Sequence, residues 1–375
     1  MAQLKVMTIV GTRPEVIRLS ETIKKMDRYF DHVLVHTGQN WDFTLNQVFF
    51  EELGIRPPDY CLECIGDHLG ETMGNMISKS YELMSEIKPE ALLILGDTNS
   101  ALSAVAAKRL KIPVFHMEAG NRCFDENLPE EINRRIVDHI SDINMPYTEN
   151  ARRNLIAEGC RSEHIFVTGS PLTEVFLQHR DNVEKSNVLE RLGLETRGYF
   201  LVSAHREENI DNEDNFFSLM NALNEIARYY QIPILYSTHP RSQKMIEKRS
   251  FVFDPLVKTM RPLGFFDYNK LQLNAFCVLS DSGTLPEEAS ILGFPAVSIR
   301  TSTERQETFD KGVILIGGIT TNEILRSVEL CRQMWDNQET CSPVGDYADS
   351  NVSAKVVKLI QSFTSIVNKT IWRKT

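Results

Sequence analysis

Short apolar runs alternate with segments of helical period along the chain, and the alternation starts afresh halfway. "LKVMTIV" is followed by "GTRPEVIRLSETIKKM". "HVLVHTG" precedes a helix-period stretch over 72–87, which puts Met73, Met76, Ile77, Met84 and Ile87 on one face. "ALLILGD" leads into "SALSAVAAKRL", and "IPVFHME" leads through a polar loop into "LPEEINRRIVDHI", where Ile132, Ile136, Val137, Ile140 and Ile143 read as the buried side. Runs this apolar are buried on both faces, so they imply a parallel sheet covered on both sides by helices. From "YFLVSAHREEN" the order returns with "NFFSLMNALNEIARYY", "IPILYSTHP", "FCVLSD", "SGTLPEEASILG" and "PAVSIR". The pattern predicts an α/β chain of two doubly wound units, which 375 residues accommodate. The join falls near "VTGSPLTEVF", giving domains 1–171 and 172–352. The stretch 353–375, with "SAKVVKLIQSFTSIV", is expected to pack back on the first domain.

A net charge of −10 argues against nonspecific nucleic-acid or anionic-membrane binding. Any anionic ligand must meet local positive charge. No stretch has the length of a membrane span and the apolar start lacks a cleavage pattern, so the cytoplasm is the expected location. "CLEC" (Cys61, Cys64) lacks a second ligand pair at zinc spacing, so the seven cysteines read as reduced thiols and no metal is expected.

Ligands of doubly wound sheets sit outside the carboxyl ends of the strands, and the polar clusters fall there. "GTRPE" (11–15) is neither a dinucleotide fingerprint nor a Walker A loop. Arg13 at a helix start suits a phosphate, and an ordinary turn whose Pro14 opens a helix explains it equally. "GDTNS" (96–100) puts Asp97 at the sheet edge, with Thr98 or Ser100 as caps of the next helix; Asp97 as the cap is the plainer reading. "HMEAG" (116–120) sets Glu118 at a strand end too far from the next helix to be a cap, a place that suits proton transfer. Glu130 follows Pro129 in a first helical turn, where the helix dipole alone would account for it. Three acids at neighbouring ends of one sheet are what favour a site. In the second half, "SAHREEN" brings His205 and Arg206, and "STHPR" adds His239 and Arg241. "SDSGTLPEEASILG" (280–293) offers the Ser282 and Gly283 backbone N–H groups as a diphosphate seat, Glu288 as an acceptor for ribose hydroxyls, and "TSTERQE" adds Arg305. An ordinary turn with an acidic first helical turn is the alternative.

Taken in order, "GTRPE", "GDT", "EAG", "PEE", "HRE", "DSG…EE" and "TER" resemble the non-hydrolysing UDP-N-acetylglucosamine 2-epimerase family over about residues 11 to 305. The resemblance implies two Rossmann-like domains facing a cleft in the B-type glycosyltransferase architecture, a UDP-sugar as partner, no cofactor and, commonly, a homodimer. It implies Arg13, Arg18, Tyr268, Ser282, Gly283, Glu288 and Arg305 as UDP contacts, with Tyr268 beside the uracil and Arg18 where the family usually has Lys. Asp97, Glu118, Glu130 and His205 look like the catalytic set, with His205 facing the acids across the cleft. "MEAGNRCFDENLPEEINRRIVDHISDINMPYTE" and "HTGQNWDFTLNQVFFEELGI" are most similar to the UDP-N-acetyl-L-fucosamine synthase branch, which serves capsule and O-antigen synthesis. "TGQNWDF" stands where the generic bacterial enzymes have the "TGQH" of their UDP-N-acetylglucosamine regulation. A plain N-acetylglucosamine/N-acetylmannosamine epimerase, a hydrolysing relative, a UDP-sugar glycosyltransferase and a non-catalytic UDP-sugar sensor are the alternatives.

Overall fold

A computed structural model describes residues 3–38, 43–339 and 342–374. The "QNWD" portion (39–42) of the "TGQNWDF" stretch lies outside them. The chain forms two compact units, residues 1–178 with 346–375, and residues 179–345.

The first unit carries strands β1 (Lys5–Val10), β2 (Asp31–His36), β3 (Tyr60–Cys61), β4 (Ala91–Leu95), β5 (Val114–Met117) and β6 (Ile143–Met145). All pair in parallel, in the order β3-β2-β1-β4-β5-β6. The central strands are apolar on both faces because helices cover both. Met7, Ile9, Leu92, Ile94 and Val114 join one buried cluster. The second unit repeats the plan with β7 (Phe200–Ser203), β8 (Ile234–Ser237), β9 (Val257–Met260), β10 (Cys277–Ser280), β11 (Ala296–Ser298) and β12 (Leu315–Ile316). Its order, β12-β11-β10-β7-β8-β9, is the first sheet's order read from the other edge. In each sheet the strand order reverses beside the first strand, between β1 and β4 and between β7 and β10. A doubly wound sheet opens its crevice at such a point.

Helix Val352–Thr370 lies in the first unit, although it follows the second in sequence. Its buried residues Val352, Val356, Ile360, Thr364 and Val367 recur every three or four positions and form one face. Glu174 fastens its start, accepting from the Ser353 N–H at 2.8 Å and the Ser353 hydroxyl at 2.5 Å. Phe363 meets Phe166 with ring centroids 4.7 Å apart.

Helix Pro129–Ile140 corrects one expectation. Val137 and Ile143 are buried, but Ile132 and Ile136 are 49% and 40% exposed. The side turned inward is mostly polar: Glu131, Asn133, Arg134 and Asp138, with Val137 packing among them. A periodicity count finds the apolar stripe, yet the helix gives its inner face to a charged network.

Candidate functional site

In the first unit the loops leaving β1 and β4 are tied to one carboxylate. Glu15, in the first turn of helix Arg13–Tyr29, is buried and accepts from the Gly11 N–H at 3.1 Å, Thr12 Oγ1 at 2.7 Å, Thr98 Oγ1 at 3.2 Å and Ser100 Oγ. Burial pushes its pKa up, against the pull of those donors. Thr98 and Ser100 therefore serve Glu15. Neither makes a side-chain cap on the short 3-10 helix Asn99–Leu102, as the sequence had suggested.

Asp97 leaves β4 half-buried and is paired with Arg134 from the inward face of helix Pro129–Ile140. Asn133 Nδ2 on the same helix donates to the Asp97 carbonyl at 3.0 Å. Glu118 leaves β5 buried, paired with Arg18 and accepting from the Tyr147 hydroxyl at 3.4 Å. Its φ of +62° lies in the left-handed region, which disfavours a side chain by about 1–2 kcal/mol. The backbone is held there by the Glu118 N–H donating to the Met145 carbonyl on β6 at 3.2 Å. Strain of this kind at a strand exit marks a place where the side chain's direction matters more than local comfort.

Behind these acids lies a buried charge network. Arg122 meets Asp138 at 2.7 Å and Glu158 at 2.5 Å. His116 Nδ1 faces Asp138 at 3.0 Å, and its Nε2 donates to the Gly96 carbonyl at 2.8 Å, one residue before Asp97. Burial alone would raise the Asp138 carboxyl, but His116 and Arg122 hold it below its ordinary range. Gly120 stands at φ +80°, and a Cβ there would run into the Ala151 carbonyl, so only glycine fits the turn after Glu118.

Glu130 sits half-buried in the first helical turn and makes no side-chain hydrogen bond among the described residues. Its neighbour Glu131 is the buried one, accepting from the Cys123 N–H at 3.2 Å and facing Arg135 at 3.3 Å. Arg13 is the first residue of its helix and lies over the Phe49 ring, 5.7 Å from the centroid. Arg18 is engaged by a carboxylate within its own unit.

In the second unit Asp281 leaves β10 fully buried and accepts from the His205 and Arg206 N–H groups, both at 2.9 Å, and from Asn209 Nδ2 at 3.1 Å. It faces His205 Nδ1 at 3.4 Å, and the half-exposed His205 ring lies 5.7 Å from that of His239. Only part of the expected N–H seat is offered, since the Ser282 N–H donates to Ser280 Oγ at 3.0 Å. Arg305 is buried, donating to the Gly283 carbonyl at 3.1 Å and pairing with buried Glu287 at 2.8 Å. It braces the turn against helix Leu285–Leu292. Glu288 accepts from Gln272 Nε2 at 2.7 Å. Gln272 stands one turn after Tyr268 on helix Phe265–Asn274, and Tyr268 is partly buried on the adjoining core.

The structure thus joins Arg18 to Glu118 in one unit, and gathers His205, Ser282, Gly283 and Arg305 around β7 and β10 in the other. Glu15, Arg134, Asp138 and Asp281, which fix these positions, were not singled out from sequence. Glu15 and Asp281 did lie inside the quoted motifs. Arg134 and Asp138 left only a weak signal, polar residues spaced 131, 134, 138 along one helical face. Among the described residues no cluster of His, Cys, Asp and Glu could hold a metal ion.

The chain matches the family model described as UDP-N-acetylglucosamine 2-epimerase over residues 23–361. The structure of a UDP-N-acetylglucosamine 2-epimerase from Rickettsia bellii is 45% identical, with a TM-score of 0.91 over 99% of this chain and 100% of that one. The Methanocaldococcus jannaschii UDP-GlcNAc 2-epimerase, solved in complex with UDP-GlcNAc and UDP, is 33% identical, with a TM-score of 0.89 over 96% and 99%. A UDP-2,3-diacetamido-2,3-dideoxy-D-glucuronate 2-epimerase from Pseudomonas aeruginosa is 32% identical over 95% of this chain and 100% of its own length.

Proposed function

The chain belongs to the UDP-N-acetylglucosamine 2-epimerase family, and on that premise we propose that it inverts carbon 2 of UDP-2-acetamido-2,6-dideoxy-β-L-talose to give UDP-N-acetyl-L-fucosamine. It is an isomerase with two Rossmann-like domains of the B-type glycosyltransferase architecture. The hydrogen on carbon 2 lies beside an acetamido nitrogen, so simple deprotonation is very unfavourable. In the route we assign, the proton leaves carbon 2 as the carbon 1–oxygen bond breaks, its electron pair going to UDP, and a 2-acetamidoglycal forms. UDP then adds back to carbon 1 while a proton arrives at the opposite face of carbon 2.

Asp97, Glu118 and Glu130 supply or orient the proton carriers, one on each face of the sugar. Arg13, His205 and the Ser282–Gly283 turn steady the departing diphosphate. Arg18, Tyr268, Glu288 and Arg305 shape the nucleotide's surroundings, and Arg18 does so by way of Glu118. The observation that carries this reading is the strained, buried Glu118 beside Arg18 at the exit of β5, next to the Asp97 exit of β4. The L-sugar assignment rests on the 117–149 segment and its likeness to the fucosamine branch. The product suits capsule or O-antigen synthesis in the cytoplasm, and we assign a homodimer as the working form. No helix among the described residues is long and apolar enough to cross a membrane.

Epimerisation of UDP-N-acetylglucosamine is the second reading, favoured by the names of the structural relatives. Proton NMR in deuterated water separates the two. Deuterium at carbon 2 with a new epimer from the L-talose derivative alone is the expected result. The same signature from UDP-N-acetylglucosamine alone makes the protein a general 2-epimerase. Binding without exchange in either substrate returns it to the transferase or sensor class.

A further inference from the structure

The second unit holds a group that the chemistry above leaves unused. A Cβ built on Gly283 would fall on Oε1 of Glu304 and lie 3.0 Å from Nη2 of Arg206. A carboxylate oxygen therefore already rests against the turn between β10 and helix Leu285–Leu292. Glu304 is held there by two guanidinium groups, Arg206 Nη2 at 3.3 Å and Arg300 Nη1 at 2.8 Å, and its side chain is only 11% exposed. Arg300 is 4% exposed, and its Nε and Nη2 are buried with no acceptor. A buried donor left unmade costs about 1–3 kcal/mol. One carboxylate, shared with Arg206, does not satisfy this fork. A diphosphate carries more acceptor oxygens than a carboxylate and can engage two guanidinium groups at once.

Building on the reading of this turn as the nucleotide's seat, we propose that Glu304 occupies the diphosphate position in the empty protein, and that Arg206 and Arg300 transfer to the diphosphate of a nucleoside diphosphate when it displaces Glu304. The ligand competes with an internal carboxylate. The same exchange run backwards helps the nucleotide leave, since Glu304 returns to Arg206 and Arg300. Arg305 braces the same turn from behind, through Glu287 and the Gly283 carbonyl.

Titration calorimetry of the full chain with UDP tests this. A seat open a tenth of the time lowers apparent affinity about tenfold, so Glu304→Gln, which keeps the shape and removes the charge, should bind UDP about tenfold more tightly. Glu304→Asp, too short to reach the seat, should also tighten binding, and Arg300→Gln should weaken it. Melting curves without ligand establish that each variant is folded. Unchanged or weaker UDP binding by folded Glu304→Gln and Glu304→Asp would make Glu304 a plain brace and overturn the proposal. Failure of the unaltered protein to bind UDP would instead remove the nucleotide reading of the turn itself.

Discussion

Glu118 combines three features that rarely meet in one residue: a left-handed backbone, near-complete burial and an arginine partner. A residue held so firmly acts through the direction of its carboxylate. Replacement by an amide of the same shape keeps the packing and removes the group proposed to carry the proton. Glu118→Gln, Asp97→Asn and Glu130→Gln should each lose about 100-fold or more in turnover, while UDP affinity, measured by calorimetry, changes far less. Near-normal rates in all three would remove the site assignment. Of the three, Glu130 has the least support around it, and Glu131 is the acid its helix buries. The sequence placed both in one first turn, and no spacing rule distinguishes them. Which one turns inward depends on how the helix is rolled by Arg134 and Asp138.

At the scale of elements, the strands were legible and one helix face was not. A parallel sheet buried on both sides leaves an unmistakable apolar run, and the turns at its exits carry the quoted motifs. Helix Pro129–Ile140 was misread on its outer side because polar residues that bond to one another can fill an interior as well as apolar ones, and sequence periodicity registers only the latter. Asp138 is the hinge of that interior, shared by Arg122, His116 and the Gly120 N–H. Asp138→Asn leaves a buried guanidinium short of its partner and should destabilise the first unit by about 3–5 kcal/mol, read from urea unfolding. The pH dependence has a definite sign. The native carboxyl lies below its unfolded value, so the wild-type contribution is complete above the unfolded carboxyl range and lost as pH falls through the depressed native value. The destabilisation by Asp138→Asn should therefore shrink in strong acid.

Across the whole molecule, the two sheets share one strand order, but only the first unit needs a distant piece of chain. Helix Val352–Thr370 covers helix Arg13–Tyr29 and buries Val356, Ile360 and Val367, each contributing roughly 1.5–3 kcal/mol. A chain stopped at residue 345 should leave 179–345 resistant to limited proteolysis while 1–178 is cleaved; equal resistance of both would show the first unit to be self-sufficient. The arrangement has a consequence for a nascent polypeptide. Residues 1–178 leave the ribosome first, yet their covering helix is translated only after the whole second unit, a delay on the order of ten seconds. During that interval an apolar helix face stands open to chaperones, and to the equivalent helix of a neighbouring copy. The part of the molecule that is made earliest is the part that matures last.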